Sequence, residues 1–382
     1  VAALVIGQLG LHSTMTGVRM AASLQVLREG RGAWAVGVLL SLFAAAPVLT
    51  AWHAGRLADR HGYHPLVHGA VGMSVAGGLA ALASTFASGW LHLLLLAVAA
   101  MLVGTAANVG VLTMQRTAGL AARDATERMR VFSWLAIAPS FSNVIGPITV
   151  GVAIDSLGFA AGYALMALLP LFTALAARRI PRTAGTPPAT AAPARTAWSL
   201  LQTPGMRRLL TVNWLLSTAW EVHSFTVPLL GHERGFSAST IGLILGLFTL
   251  SVTIVRFVIP VLAHRLREVT VLRASMVGTA LVFAAYPFAP NAWAMGALAV
   301  LLGVPLGSVQ PMVMALLHQI TPHDRHGEAL ALRSMAINAT STVMPLLFGA
   351  SGALVGTTAI FWAVGAAVLA GSRLPRRFAA SR

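Results

Sequence analysis

The sequence predicts an all-α integral membrane protein, with twelve transmembrane helices in two pseudo-symmetric bundles of six. Three observations carry this expectation. The chain is 57% hydrophobic and only 9% charged, with a mean hydropathy of +0.78, more apolar side chain than one soluble core can absorb. Apolar runs of about 20 residues recur from end to end, the length that crosses roughly 30 Å of hydrocarbon at 1.5 Å per helical residue. A polar linker then divides the runs six and six, and short stretches before it recur after it.

In order, the first six runs are 3–26, 34–54, 65–87, 91–115, 131–153 and 158–177. Residues 178–206, "RRIPRTAGTPPATAAPARTAWSLLQTPGM", break the rhythm with proline, alanine, threonine and arginine, a composition that cannot bury enough surface to fold alone. Six more runs follow at 207–230, 238–262, 269–289, 293–317, 328–351 and 355–373. The organisation read from this is an N-terminal six-helix bundle (1–177), a cytoplasmic linker (178–206) and a C-terminal six-helix bundle (207–382). The halves repeat one another. "AVGVLLSLF" (35–43) matches "TIGLILGLF" (240–248), with Gly37 on Gly242 at an offset of 205 residues. "VIGPITVG" (144–151) matches "TVMPLLFG" (342–349), with Pro147 on Pro345 at an offset of 198. Repeats related by an axis along the membrane normal place a binding site at mid-membrane, between the halves.

All 26 basic residues are arginine, and the net charge is +16. With the first residue placed in the cytoplasm, only Arg28, Arg31 and Arg234 fall in outer loops, while the inner loops, linker and tail take Arg56, Arg60, Arg116, Arg178, Arg207, Arg325, Arg376 and most of the others. This is the positive-inside asymmetry of a multi-pass protein of the cell inner (plasma) membrane with both termini cytoplasmic. A nucleic-acid partner is excluded, because no basic patch is interleaved with stacking aromatics. Without cysteine there are no disulfides or thiolate-ligated metals, and the histidines, including those of "HDRH" (323–326), lack the spacing of a metal site. No cofactor is expected. No lysine is present, so a phosphate-binding loop is ruled out, and any transport draws on an ion or solute gradient. The chain begins at Val1, in or beside the first run with no cleavable signal, which reads as a trimmed native start.

"GRLADRHGYHPL" (55–66) carries its own physical logic. Gly55 and Gly62 permit close helix approach and a tight turn, while Asp59, between Arg56 and Arg60, is placed to cap a helix and hold an arginine. The stretch resembles the signature loop between the second and third helices of the major facilitator superfamily, and the resemblance covers essentially the whole chain. "DATERMRVF" (124–132) and "PHDRHGEAL" (322–330) resemble its weaker loops. Tyr63 and His64 stand where two basic residues are usual. Ala100 lies near the place of an arginine in the fourth helix of many members, so that arginine's proton-relay role does not transfer. By resemblance, Gly55, Asp59, Arg60 and Gly62 form a gate that locks the cytoplasmic side of the outward-facing state. In the second half "PVLAHRLRE" (260–268) puts His264 in the place of Asp59 and keeps Arg265. "GPITVG" in the fifth run resembles a degenerate form of the motif of the superfamily's antiporters.

Ionisable residues in hydrocarbon cost at least about 2.5 kcal/mol each on insertion scales, so each is a functional candidate. On the first run Gln8, His12, Thr16, Arg19 and Ser23 form one helical stripe. The 205-residue offset sets Gln8 on Asn213, His12 on Ser217, Thr16 on Glu221 and Arg19 on Ser224. Two such stripes are expected to face each other across an aqueous cavity, with the Arg19 guanidinium reaching Glu221. A buried pair that merely neutralises two charges and a pair broken and remade during transport are both consistent with this pattern. His223, two residues from Glu221, points to another face. Asn108, Asn143, Gln310, Asn338 and Ser341 are further cavity candidates. Arg256 and Arg333 read as snorkelling, or as pairing with Glu328 or Glu268.

The expected activity is secondary transport by alternating access, most simply proton-coupled efflux of small organic molecules, with Glu221 and Arg19 as the proton-coupling pair. The alternative is uptake or exchange of an organic anion held by Arg19. The expected partners are a small-molecule substrate, protons and the lipid bilayer, with the protein acting as a monomer.

Overall fold

The computed structural model describes residues 2–121, 125–181, 197–262, 266–322 and 325–375; at 51–61, 120, 121, 125–130, 132, 133, 136, 260 and 327 only the backbone is described. Every α-helix among them follows the runs of the sequence. The order is α1 (Ala2–Arg28), α2 (Ala33–His61), α3 (Tyr63–Ser84), α4 (Gly89–Ala121), α5 (Ala125–Ala177), α6 (Met206–Glu233), α7 (Ala238–Leu262), α8 (Glu268–Ala285), α9 (Ala292–Ile320) and α10 (His326–Gly371), with 3-10 turns at Ala197–Gln202 and Tyr286–Phe288.

Two helices are too long for a single crossing. α5 has 53 residues and α10 has 46, and each breaks at one glycine, Gly158 (φ 86°, ψ 175°) or Gly356 (φ 77°, ψ 168°). That backbone region is open to glycine alone, so the chain can reverse there with no loop. Gly30 and Gly235 also have positive φ, at the α1–α2 and α6–α7 turns. The four turns obey the offsets of the repeats: Gly30 and Gly235 are 205 residues apart, Gly158 and Gly356 are 198 apart. These four turns mark one end of the molecule, which we call the glycine-turn end.

Among the described residues eight helices are long and apolar enough to cross a membrane by length and composition, and α1 and α6 are not among them. They are the two that carry the polar stripes, and both are largely buried within the protein. Polar side chains hold α1 to α5: the Thr14 hydroxyl donates to the Met166 carbonyl at 3.0 Å and the Thr173 hydroxyl to that of Gly7 at 2.7 Å. Such bonds replace the hydrophobic drive that lipid cannot supply between helices.

The halves meet crosswise near the glycine-turn end. Gly242 of α7 lies so close to α5 that a Cβ there would sit 2.8 Å from the Pro147 carbonyl carbon, and Gly37 of α2 would bring one 3.2 Å from that of Pro345 on α10. Thus the glycine of each repeat packs on the proline of the other. Ser41 of α2 also donates to the Thr342 carbonyl of α10 at 2.6 Å. The Asp155 carboxylate on α5 accepts the first amides of α7, from Ala238 at 3.0 Å and Ser239 at 2.6 Å, and lies 3.9 Å from Arg28. An acid there suits the positive end of the helix dipole.

At the other end, the signature stretch is helical up to His61, so the turn shrinks to Gly62, whose φ of 73° fits the tight turn expected of it. Gly55, Asp59 and Arg60 fall on the last turns of α2, and their side chains lie outside the described residues. His264 and Arg265 lie outside them altogether.

Candidate functional site

Three cavities of about 400, 220 and 70 Å³ share lining residues in the middle of the molecule, the first and third lined by both halves and the second by the second half alone. The largest is bordered by α1, α2, α4, α5 and α10 and includes His12, Arg19, Asn108, Asn338 and Ser341. The second lies against α6, α7, α9 and α10, with Asn213, Ser217, Glu221, Gln310 and Ser341. The smallest sits toward the glycine-turn end with Thr16, Arg19, Asn143 and Ser224. Ser341 borders the first two, and Arg19 the first and third.

At their junction Arg19 Nη2 donates to Glu221 Oε2 at 2.8 Å, the contact expected from the repeat. Ser341 Oγ donates to the other oxygen, Oε1, also at 2.8 Å. Glu221 is therefore engaged by α1 of one half and α10 of its own, and its side chain is only 6% exposed against 23% for Arg19. An ion pair so placed sits in low dielectric, where pairing is strong and a lost partner is costly.

The remaining stripe residues divide. His12 borders the largest cavity with Nδ1 unpartnered, and Asn213 borders the second with Nδ2 unpartnered. Thr16 borders the smallest cavity, but its hydroxyl is spent on the Ser142 carbonyl of α5 at 3.0 Å. Gln8 corrects the stripe reading. It is 2% exposed and borders none of these cavities, because at its level α1 is enclosed by α4 and α5, with Met114 and Thr173 against the neighbouring Gly7. His223 lies off the cavities, its ring 4.1 Å from that of Phe248 and Nε2 3.3 Å from the Tyr286 hydroxyl.

Comparison with known proteins decides the family: a model of the Major Facilitator Superfamily matches residues 4–220 and 209–378. The chain belongs to this superfamily. Transporters of solved structure share its fold over nearly all of both chains. A POT family transporter in complex with a thioalcohol-conjugated peptide has a TM-score of 0.77 at 11% identity, covering 99% of this chain and 96% of that one. A D-xylose–proton symporter has 0.76 at 13%, covering 98% and 96%. A bacterial homologue of the iron transporter ferroportin, in an inward-facing state, has 0.75 at 17%, covering 98% and 97%. No curated protein sequence matches. The chain is thus a multi-pass membrane transporter of the superfamily.

Two functional candidates were misjudged in the sequence. Arg256 and Arg333 do not pair with the acids offered to them: Glu328 binds Arg325, and Glu268 accepts from Gln319 at 2.9 Å. Both arginines border the second cavity. Arg333 Nε donates to Asn213 Oδ1 at 3.2 Å, and Arg256 Nη1 reaches across the halves to Ser140 Oγ at 3.4 Å. Among the described residues no carboxylate forms a salt bridge with either. A signal for Arg333 was available, since Arg333, Ile337 and Ser341 fall at i, i+4 and i+8 on the face that Ser341 already marked. Arg256 has no such companion.

Outside the spans, the Asp155 carboxyl at the glycine-turn end titrates below its ordinary value of 3.8. Burial pushes it up, but hydrogen bonds from Ser239, Ala238 and Ser237 outweigh burial.

Proposed function

We propose that this superfamily member is a proton-coupled exporter of small organic molecules, acting as a monomer in the inner membrane with both termini in the cytoplasm. The observation that carries the reading is the Glu221 carboxylate at the junction of the cavities, held by Arg19 from the other half and by Ser341. Protonating it removes the charge that holds Arg19, and the gap between the halves then loses a charge-assisted bond of about 1.5–3 kcal/mol. That is enough to shift a two-state equilibrium by about one to two powers of ten. Export is favoured by the lining of the cavities, where Met15, Met20, Leu40, Phe43 and Trp220 offer adaptable apolar surface. In this reading the crosswise glycine–proline contacts close the outer side.

The test is proton-driven flux in proteoliposomes under an imposed pH gradient, for wild type and Glu221→Gln. Gln keeps the shape and an acceptor for Arg19 but cannot exchange a proton. Coupled flux should collapse, and full coupled flux in the variant would refute the carrier role.

A second reading, uptake or exchange of an organic anion, gains support from one observation: three guanidiniums, those of Arg19, Arg256 and Arg333, face the cavities with one carboxylate among the described linings. Arg19 is committed to Glu221, so the anion would be met by the other two.

A further inference from the structure

We propose that the 220 Å³ cavity of the second half is an oxyanion site, in which Arg256 and Arg333 clasp the carboxylate or phosphate head of an organic substrate whose apolar body lies toward Trp220. This rests on the transporter reading above but not on its direction.

Hydrogen-bond accounting leads there. The lining sets two guanidiniums against one carboxylate, with Asn213, Ser217, Gln310 and Ser341 among its neutral polar groups. Arg256 Nε and Asn213 Nδ2 are buried with no partner, and Arg333 commits only Nε to Asn213. The one carboxylate of the lining, Glu221, has both oxygens engaged by Arg19 and Ser341. Buried unsatisfied donors are uncommon and costly in a folded protein, and those of Arg256 and Asn213 belong to residues that line the same cavity as the second guanidinium, Arg333. Water could serve a neutral donor. Two guanidiniums that share a cavity with no carboxylate of their own, however, also repel, and an anion between them relieves both costs.

The donor type narrows the class. Guanidinium forks match the planar oxygens of carboxylates and the oxygens of phosphates in bidentate bonds. Their helices differ, α7 for Arg256 and α10 for Arg333, so an anion bridging them would tie together two elements that also contact the other half, α7 through Gly242 and Ser140, α10 through Pro345. Substrate would thereby report to the interface that has to open. The same lining includes Leu216, Trp220, Leu306 and Val309, apolar surface that suits a hydrocarbon or aromatic body over bare inorganic phosphate.

The experiment uses the full chain in lipid nanodiscs and calorimetric titration with four probes that vary one feature at a time: benzoate, phenylphosphate, benzylamine and inorganic phosphate. Benzoate or phenylphosphate should bind saturably, at least about tenfold tighter than benzylamine or inorganic phosphate. Arg256→Gln and Arg333→Gln should each weaken that binding about tenfold or more, while the Lys variants keep part of it because charge persists without the fork. Benzylamine binding as tightly as benzoate, or benzoate affinity unchanged in both Gln variants, would overturn the site. Inorganic phosphate binding as tightly as phenylphosphate would overturn the apolar half of the assignment. If the Gln variants do not fold, the comparison of probes on wild type still decides. Flux in proteoliposomes separates the two readings. Saturable benzoate binding without flux supports this site and sinks the transport reading, whereas benzylamine flux indifferent to both arginines does the reverse.

Discussion

Substituting Gly242 by alanine should unseat the crosswise contact between the halves. The new Cβ would stand 2.8 Å from the Pro147 carbonyl carbon and nearer still to its oxygen, where real Cβ atoms essentially never come within 3.0 Å. The obstacle is backbone on a rigid helix, so no side chain can rotate away and α7 must separate from α5. Overpacking of this kind costs about 1–3 kcal/mol. If the contact exists only when the glycine-turn end is closed, that energy falls on one state alone and shifts the population toward opening by about 5- to 150-fold. The chain has no cysteine, so a single Thr249→Cys reporter in the smallest cavity has no background. Its labelling by an impermeant maleimide, added from the glycine-turn side, should accelerate by a comparable factor in Gly242→Ala. Gly69→Ala, where a Cβ meets nothing within 4 Å, should leave the rate unchanged. An unchanged rate in well-folded Gly242→Ala protein would refute the idea that this contact is the closed gate.

Other expectations use the same reporter or thermal unfolding. Asp155→Asn should speed labelling by about twofold to fivefold, since a carboxylate at a helix N-terminus contributes about 0.3–1 kcal/mol. Because the Asp155 carboxyl titrates below its ordinary value of 3.8, its contribution is present above pH 3.8 and is lost as pH falls through the depressed value. Because the thiol's own reactivity falls with pH in both proteins, the readout is the ratio of rates: the wild type, slower than Asp155→Asn above this value, should converge on the variant as the pH falls through it. Gly356→Ala should destabilise by about 1–3 kcal/mol, read as a lower melting temperature. A Cβ there meets nothing within 4 Å, so the cost is torsional and an unbranched larger residue such as Gln should do no worse than alanine.

The spans, the repeat and the Arg19–Glu221 contact were legible in the sequence because each depends on periodicity. A stripe at helical spacing says which face of a helix is wet, and an offset says which residues are equivalent. Neither says what touches what. Gly37 and Gly242 were seen as counterparts, but that each packs on the other's proline partner, Pro345 or Pro147, is a property of the assembled halves. Gln8 shows the same limit along the helix axis, since it keeps the period of Arg19 yet sits where neighbours have closed over α1. The place of Arg256 was missed because hydropathy treats an arginine near the end of a run as reaching for the interface, while its neighbours, Ser140 of α5 and the second cavity, come from how α7 packs in the assembled protein.

The partnership of α1 with α6 also bears on how the chain is made. Arg19 and Glu221 are 202 residues apart, so at about 5–20 residues per second the arginine is synthesised some 10–40 s before its counter-ion. During that interval α1, among the least apolar of the helices, has no acid to meet its guanidinium and the second half does not yet exist. The nascent first half must therefore keep α1 against its own helices, through bonds such as those of Thr14 and Thr173, with Arg19 turned away from lipid until α6 arrives. The ion pair that joins the finished halves is then also a late step of assembly, and a chain truncated before Glu221 should be a poorer membrane resident than its hydropathy suggests.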